Sequence, residues 1–166
     1  MKSRKNLGFM IVAAIILTLL LATFKFETKN AEAGNFYANF RNDLLLTLDL
    51  LEVLSENQEA DEYVLKENLE NIILSIEKII EDDTLKPNID TSSLLESKNT
   101  LMETQNINLV KNKARDEELH HVYDAKHIIH AYAYSLYKFG TEPYYNGNEG
   151  LIEECYRDLI EKLNNR

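Results

Sequence analysis

Apolar residues recur at helical spacing along most of the chain. In the first such stretch, Phe40, Leu44, Leu48 and Leu51 keep the three- and four-residue steps of an amphipathic helix. A second helix is predicted after Asp61, because aspartate is a favoured residue at helix N-termini. Its predicted inner face consists of Leu65, Leu69, Ile72, Ile76 and Ile79. These two patterns predict amphipathic helices whose apolar faces need partners.

Three further helices are predicted downstream. Ser93 and Glu96 have the spacing of a capping box, which would open the third helix. The fourth is predicted over residues 113–139 and the fifth over residues 148–164. The predicted inner positions of the three helices are Leu95, Met102 and Leu109; Val122, Ile129 and Leu136; and Ile152, Cys155, Leu159 and Leu163. With no convincing strand pattern, the fold class is all-α, a bundle of four to five amphipathic helices.

The N-terminus predicts a membrane segment. Lys2, Arg4 and Lys5 precede residues 7–24, which contain no charged residue. A transmembrane helix needs about 17–25 predominantly apolar residues. We therefore divide the chain into a basic head with a membrane anchor or signal segment, residues 1–33, and a helical domain, residues 34–166. No proline interrupts the boundary, so the first helix of the bundle is expected to continue the membrane helix.

A cleaved export signal is the alternative to a retained anchor. Ala31 and Ala33 give the small-x-small pattern of a cleavage site before Gly34, although residues 7–24 exceed the usual apolar core of about 7–15 residues. Both alternatives place the body outside the cytoplasm, either tethered to the cell membrane by a single pass or secreted after cleavage near Ala33. The basic head and the Ala-x-Ala pattern favour this orientation.

Gly8 and Phe9, placed between basic residues and an apolar run, resemble the start of a type IV pilin-like precursor. The resemblance implies processing between these two residues. It covers the N-terminal stretch alone and departs from the family at Ala13, where such proteins usually carry glutamate. The strand-rich head of most such proteins also has no counterpart in the predicted helices.

Charge and composition exclude several classes of protein. The chain of 166 residues has a formal net charge of −10, so it lacks the basic surface that nucleic-acid binding requires. Without the three basic residues of the head, 15 basic and 28 acidic residues leave a net charge of −13, which an anionic bilayer surface would repel. Cys155 is the single cysteine, which rules out an internal disulfide or a multi-cysteine metal site.

The histidines indicate one candidate site for a divalent transition metal. His120, Asp124 and His127 follow i, i+4, i+7 spacing, which places them on the helix face opposite Val122 and Ile129. Imidazole nitrogen and carboxylate oxygen are ligands for zinc, copper and nickel. A solvated polar face explains the same pattern without a metal, so the default expectation is that the protein has no cofactor.

Aromatic and leucine-rich segments suggest contact surfaces. Tyr144 and Tyr145 lie in a loop next to Pro143 and are the candidate partner-binding residues. Residues 44–51 hold more leucine than one neighbouring helix covers, so this stretch is either central in the bundle or paired with another copy. Central burial is the expected arrangement.

The chain lacks the short motifs of common catalytic sites, and no enzymatic activity is predicted. The sequence instead predicts a membrane-tethered extracytoplasmic module that acts through a protein partner or self-association. The alternative is a metal- or small-ligand-binding protein that uses the histidine and aspartate face.

Overall fold

The computed structural model is built from α-helices. It describes residues 2–56, 58–82, 85–86, 88–106, 116–137 and 149–165, except for the side chains at 2–13, 26, 29–30, 117, 149 and 151. The helices are α1 (Lys2–Ser55), α2 (Glu62–Glu81), α3 (Ser92–Gln105), α4 (Leu119–Ser135) and α5 (Glu149–Asn164), and a 3-10 turn at Asp116–Glu118 precedes α4. No strand occurs in these described ranges. The prediction of an all-α bundle is confirmed.

Helix α1 is a single helix of 54 residues. It crosses the predicted boundary at residues 33 and 34 without a break, as the absence of proline in this stretch predicts. Residues 14–24 are exposed, whereas Ala33 is buried and is the first of the described side chains of α1 that belongs to the bundle core. Among the described residues, no helix is both long and apolar enough to cross a membrane.

Helix α2 follows the sequence pattern closely. The Asp61 carboxylate accepts a hydrogen bond of 3.2 Å from the backbone N–H of Val64 and caps the helix. All five predicted inner residues of α2 are buried. The helix packs against α1, where Lys78 Nζ lies 4.9 Å from the centre of the Phe36 ring, and against α3, where Lys98 Nζ lies 2.9 Å from Glu77 Oε1.

Helix α3 differs from its prediction in both its start and its inner face. Ser93 does not cap the helix, since Ser93 Oγ bonds to Asn164 Oδ1 at 3.0 Å. The helix begins after Asp90, whose carboxylate accepts a hydrogen bond from the Ser92 backbone N–H, and this bond lowers the pKa of Asp90. The buried residues of α3 are Leu94, Ser97, Leu101 and Thr104.

The inner face of α3 was therefore predicted one residue too far along the chain. Leu95 is 49% exposed and Met102 is 44% exposed, and Leu109 lies outside the described residues. The physical reason is that polar residues occupy half of the true inner face. The hydroxyl of Ser97 lies 2.9 Å from that of Tyr132, and the hydroxyl of Thr104 donates to the carbonyl of His121. Hydroxyls with buried partners do not register in a pattern of apolar residues.

Helices α4 and α5 complete the core. Val122, Ile129 and Leu136 are buried as predicted, although α4 is shorter than expected, because it ends at Ser135. In α5, Cys155, Leu159 and Leu163 are buried, and Ile152 packs at the edge of the core. Helix α4 lies against α1, where the Phe40 and Tyr132 rings are 5.8 Å apart in an edge-to-face arrangement.

The leucine-rich stretch of α1 is buried on one side only. Leu44 and Leu51 are buried, but Leu45 is 43% exposed and Leu46 is 57% exposed. Among the described elements, α1 packs mainly on α2 and α4, and its Tyr37 also reaches Tyr156 of α5, so the opposite side of the helix has no described neighbour. Central burial therefore holds for Leu44 and Leu51 but not for Leu45 and Leu46, because the neighbouring helices cover only part of the circumference of α1.

Candidate functional site

A groove between α4 and α5 forms the main candidate site. It encloses about 320 Å³ and is lined by His127, His130, Ala131, Asp158, Glu161, Lys162 and Asn165. The two histidines come from one face of α4, three residues apart, and the charged residues come from α5. The groove therefore combines hydrogen-bond donors and acceptors in a volume at the small end of the range for ligand sites.

The floor of the groove is fixed by contacts between the two helices. His127 Nε2 lies 3.0 Å from the carbonyl oxygen of Lys162, in the last turn of α5. Because a carbonyl only accepts hydrogen bonds, this ring nitrogen is the donor and carries the proton. The contact also gives a hydrogen-bond partner to a carbonyl near the end of α5, where carbonyl groups have no backbone N–H partner within the helix. It holds the end of α5 against the middle of α4.

Asp158 forms the second set of contacts in the groove. The hydroxyl of Ser135 donates a hydrogen bond of 2.6 Å to Asp158 Oδ2, and the ammonium group of Lys162 contacts Asp158 Oδ1. Asp158 thus joins the end of α4 to α5 and neutralises the nearest cation. The groove is polar but nearly balanced in charge, which distinguishes it from the strongly acidic remainder of the chain.

A row of exposed aromatic rings borders the groove. The His130 and Tyr134 rings are 6.1 Å apart and nearly parallel, with 14° between their planes, and the Tyr134 and Tyr137 rings are 6.4 Å apart. Lys162 Nζ lies 4.8 Å from the centre of the Tyr134 ring. Tyr134 is 60% exposed and Tyr137 is 45% exposed. We call His130, Tyr134 and Tyr137 the aromatic row.

The aromatic row has the chemistry of a protein-contact surface. Tyrosine offers a large, rigid contact area together with a polar hydroxyl, and it is enriched at protein interfaces. Contacts among the three rings and Lys162 restrict their rotamers before any partner arrives. Less side-chain entropy is then lost on binding.

The predicted metal residues are not gathered into a metal site. His120 is exposed, and its ring lies 3.8 Å from that of the neighbouring His121, while Asp124 is half-buried. His127 uses Nε2 in the contact with Lys162, which leaves Nδ1 as its available ligand atom. Within the described ranges, no three histidine, cysteine, aspartate or glutamate side chains lie close enough together to hold a metal ion.

The predicted partner-binding residues Tyr144 and Tyr145 lie outside the described residues. The described tyrosines of α4, α5 and the residues just after α4 divide into two groups. Tyr132 and Tyr156 are fully buried, whereas Tyr123, Tyr134 and Tyr137 are exposed. The sequence signal for the aromatic row was present, because His130, Tyr134 and Tyr137 follow i, i+4, i+7 spacing. Its position beside α5 could not be read from that spacing.

Comparisons with family models, with curated proteins and with solved structures found no match for this chain.

Proposed function

We propose that the protein is a helical module tethered to the cell membrane, with its body outside the cytoplasm, and that it acts through contacts with a protein partner rather than by catalysis. The observation that supports the tether most strongly is the exposure of residues 14–24 of α1. The large apolar residues within 14–24 are 52–67% exposed; they are Ile15, Ile16, Leu17, Leu19, Leu20, Leu21 and Phe24.

These apolar residues point in every direction around the helix axis. At 100° per residue, Ile15, Leu17 and Leu20 lie at about 160°, 0° and 300° around the axis, so no single neighbouring helix would cover them. Exposing such side chains to water costs about 1.5–3 kcal/mol each relative to full burial. Lipid covers all sides at once. The proposed anchor is residues 7–24, of which residues 7–13 have side chains outside the described set.

Retention of the anchor is favoured over cleavage near Ala33. The bond between Ala33 and Gly34 lies inside α1, and the Ala33 side chain is buried in the bundle. Proteolysis is concentrated in exposed loops and termini rather than in packed helices. The orientation rests on the resemblance of the N-terminus to an export signal, and the net charge of −13 beyond the head keeps the body off an anionic bilayer surface.

The tether is tested by alkaline extraction of membranes from cells that express the full-length protein. We expect the protein to stay in the membrane pellet, whereas a Leu17→Arg/Leu20→Arg variant should be found in the supernatant, because arginine near a bilayer centre is costly. A Leu45→Arg/Leu46→Arg variant is the matched control, since it places the same charges on the same helix within the body. Extraction of the wild type into the supernatant would contradict the proposal.

The contact surface is proposed to be the aromatic row together with Tyr144 and Tyr145, which follow it in the sequence. The test compares Tyr134→Ser/Tyr137→Ser with the control Tyr63→Ser, because Tyr63 is 75% exposed on α2. In chemically crosslinked native membranes, the first variant should lose the crosslinked product that the wild type and the control retain. Retention of that product by the double variant would exclude the aromatic row as the contact surface.

A further inference from the structure

We propose that two copies of the protein associate in parallel along α1, in register, through the side of this helix that α2 and α4 leave uncovered. The inference rests on the proposed membrane tether and adds a partner of defined identity, a second copy of this chain. It concerns a different surface from the aromatic row on α4.

The uncovered side of α1 is defined by the two neighbours that flank it. Helix α2 lies on one flank, where Lys78 lies over the Phe36 ring and a shallow groove contains Asp43 of α1. Helix α4 lies on the other flank, where Lys126 Nζ is 3.2 Å from Glu52 Oε1. The positions between these flanks on the far side of the helix are Ala31, Asn35, Ala38, Asn42 and Leu45. Ala38 is half-buried and the other four are exposed. We call these five residues the outer face of α1.

The outer face repeats with the period of a two-stranded coiled coil. Its members are separated by alternating steps of four and three residues, the spacing at which one helix presents a continuous seam to another. Continued toward the N-terminus through Thr28, the same steps reach Phe24, Leu21, Leu17 and Ala14. Because α1 is one unbroken helix, the outer face of the body and this line through the membrane segment form a single seam.

Two asparagines favour a second copy of the chain as the partner of the outer face. Asn35 and Asn42 lie seven residues apart, at equivalent positions of the seam, and both are exposed. A polar asparagine at such a position lowers stability in general but fixes register and strand number, because it pairs with the asparagine of an aligned partner. In a parallel, in-register pair, each seam residue faces the same residue of the other copy. Asn35 therefore pairs with Asn35, and Asn42 pairs with Asn42.

The membrane supplies the orientation that the seam requires. Copies anchored in one bilayer by the same segment have parallel helices at the same depth, which is the arrangement in which Asn35 and Asn42 align. Ala14 in the anchor, and Ala31 and Ala38 beyond it, allow the helices to approach closely; small residues have this role in helix contacts within membranes. The next position of the seam after Leu45 is Asp49, where two carboxylates would face each other. The contact is therefore expected to end at Leu45.

Cysteine crosslinking of the full-length protein in native membranes tests the inference. In a Cys155→Ser background, single cysteines replace Leu17, Leu21, Asn35 or Asn42, and a copper–phenanthroline oxidant forms disulfides where the two copies meet. Ile15→Cys and Leu19→Cys are matched controls, because these residues are as exposed as Leu17 and Leu21 but lie on the opposite side of the membrane segment. Glu70→Cys on α2 is the control for the body.

We expect several-fold more disulfide-linked dimer at the four seam positions than at the three controls, since the Cα atoms that face each other across the seam fall within the 4.4–6.8 Å range of disulfides. Crosslinking that is absent at the seam, or equal on both sides of the helix, would overturn the inference. Fractionation of the same samples separates the two proposals. Membrane-bound protein without seam crosslinks contradicts the dimer alone, whereas protein in the soluble fraction contradicts both the tether and the dimer.

Discussion

The hydroxyl groups of Tyr37 and Tyr156 contact each other in the core, although 119 residues separate them in the chain. Both side chains are almost completely buried. Each hydroxyl also lies near the carbonyl oxygen of Leu85, with that of Tyr156 at 3.1 Å. One of the two hydroxyl protons can be donated to this carbonyl while the other links the hydroxyls. The cluster joins α1, α5 and the segment that follows α2.

Removing one hydroxyl of this cluster should lower stability. We expect Tyr37→Phe to reduce the free energy of unfolding by about 1–3 kcal/mol, because it leaves a buried polar group with fewer partners. The double variant Tyr37→Phe/Tyr156→Phe should cost less than the sum of the single variants, since the hydroxyls form one unit. Urea unfolding of the full-length protein in mild detergent measures this. Additive losses would show that the two hydroxyls act independently. Tyr134→Phe on the surface is the control.

Core packing in α2 gives a second prediction. Ile76 is fully buried, whereas Leu74 on the same helix is 54% exposed. We expect Ile76→Ala to lower the free energy of unfolding by about 2–5 kcal/mol through lost burial and a residual cavity. Leu74→Ala should change it by about 0.5 kcal/mol or less. The same urea titration compares them, and equal losses would contradict the assigned inner face of α2.

The amount of structure predictable from the sequence differed between helices. Helix α2 was predicted correctly because its inner face is wholly aliphatic apart from Asn68 and its start has an aspartate cap. Helix α3 was not, because Ser97 and Thr104 are buried through hydrogen bonds to α4, which depend on tertiary contacts. The candidate site shows the same limit. The spacing of Tyr134 and Tyr137 is visible in the sequence, but the placement of Lys162 over Tyr134 depends on how α5 packs on α4.

Asp43 predicts a pH-dependent effect. Burial raises the pKa of this carboxyl above its ordinary value of 3.8, because partial removal from water disfavours the charged form. The folded state then binds a proton more readily than the unfolded state, so Asp43 lowers stability as the pH rises through its folded-state pKa. We expect Asp43→Asn to stabilise the protein at neutral pH, and the gain to shrink as the pH falls through the folded-state pKa and to be lost below 3.8.

Thermal unfolding of wild type and Asp43→Asn across this pH range measures the effect. Asp49→Asn is the matched control, because Asp49 is exposed on the same helix. We expect its melting temperature to follow that of the wild type at each pH. A stability gain of Asp43→Asn that is the same at every pH would contradict desolvation as the cause.

We expect metal binding to be weak and not to depend on the candidate ligands His120, Asp124 and His127. Because His127 donates Nε2–H to Lys162 and His120 lies against His121, the zinc affinity of the full-length protein should equal that of a His120→Ala/His127→Ala variant. Isothermal titration with zinc chloride in detergent compares the two. Loss of a stoichiometric zinc site in the double variant alone would support the metal-binding alternative instead.

The central claim is that the helical body stands outside the cytoplasm on a retained anchor. Thiol labelling of intact cells tests it most directly, in a Cys155→Ser background with one cysteine at Ser3 in the basic head or at Asn165, which is exposed after α5. With a membrane-impermeant maleimide, the account predicts labelling of Asn165→Cys in the membrane fraction, and labelling of Ser3→Cys only after the cells are lysed. Labelling of Ser3→Cys but not of Asn165→Cys in intact cells, or a labelled protein that has lost its N-terminal segment, would contradict it.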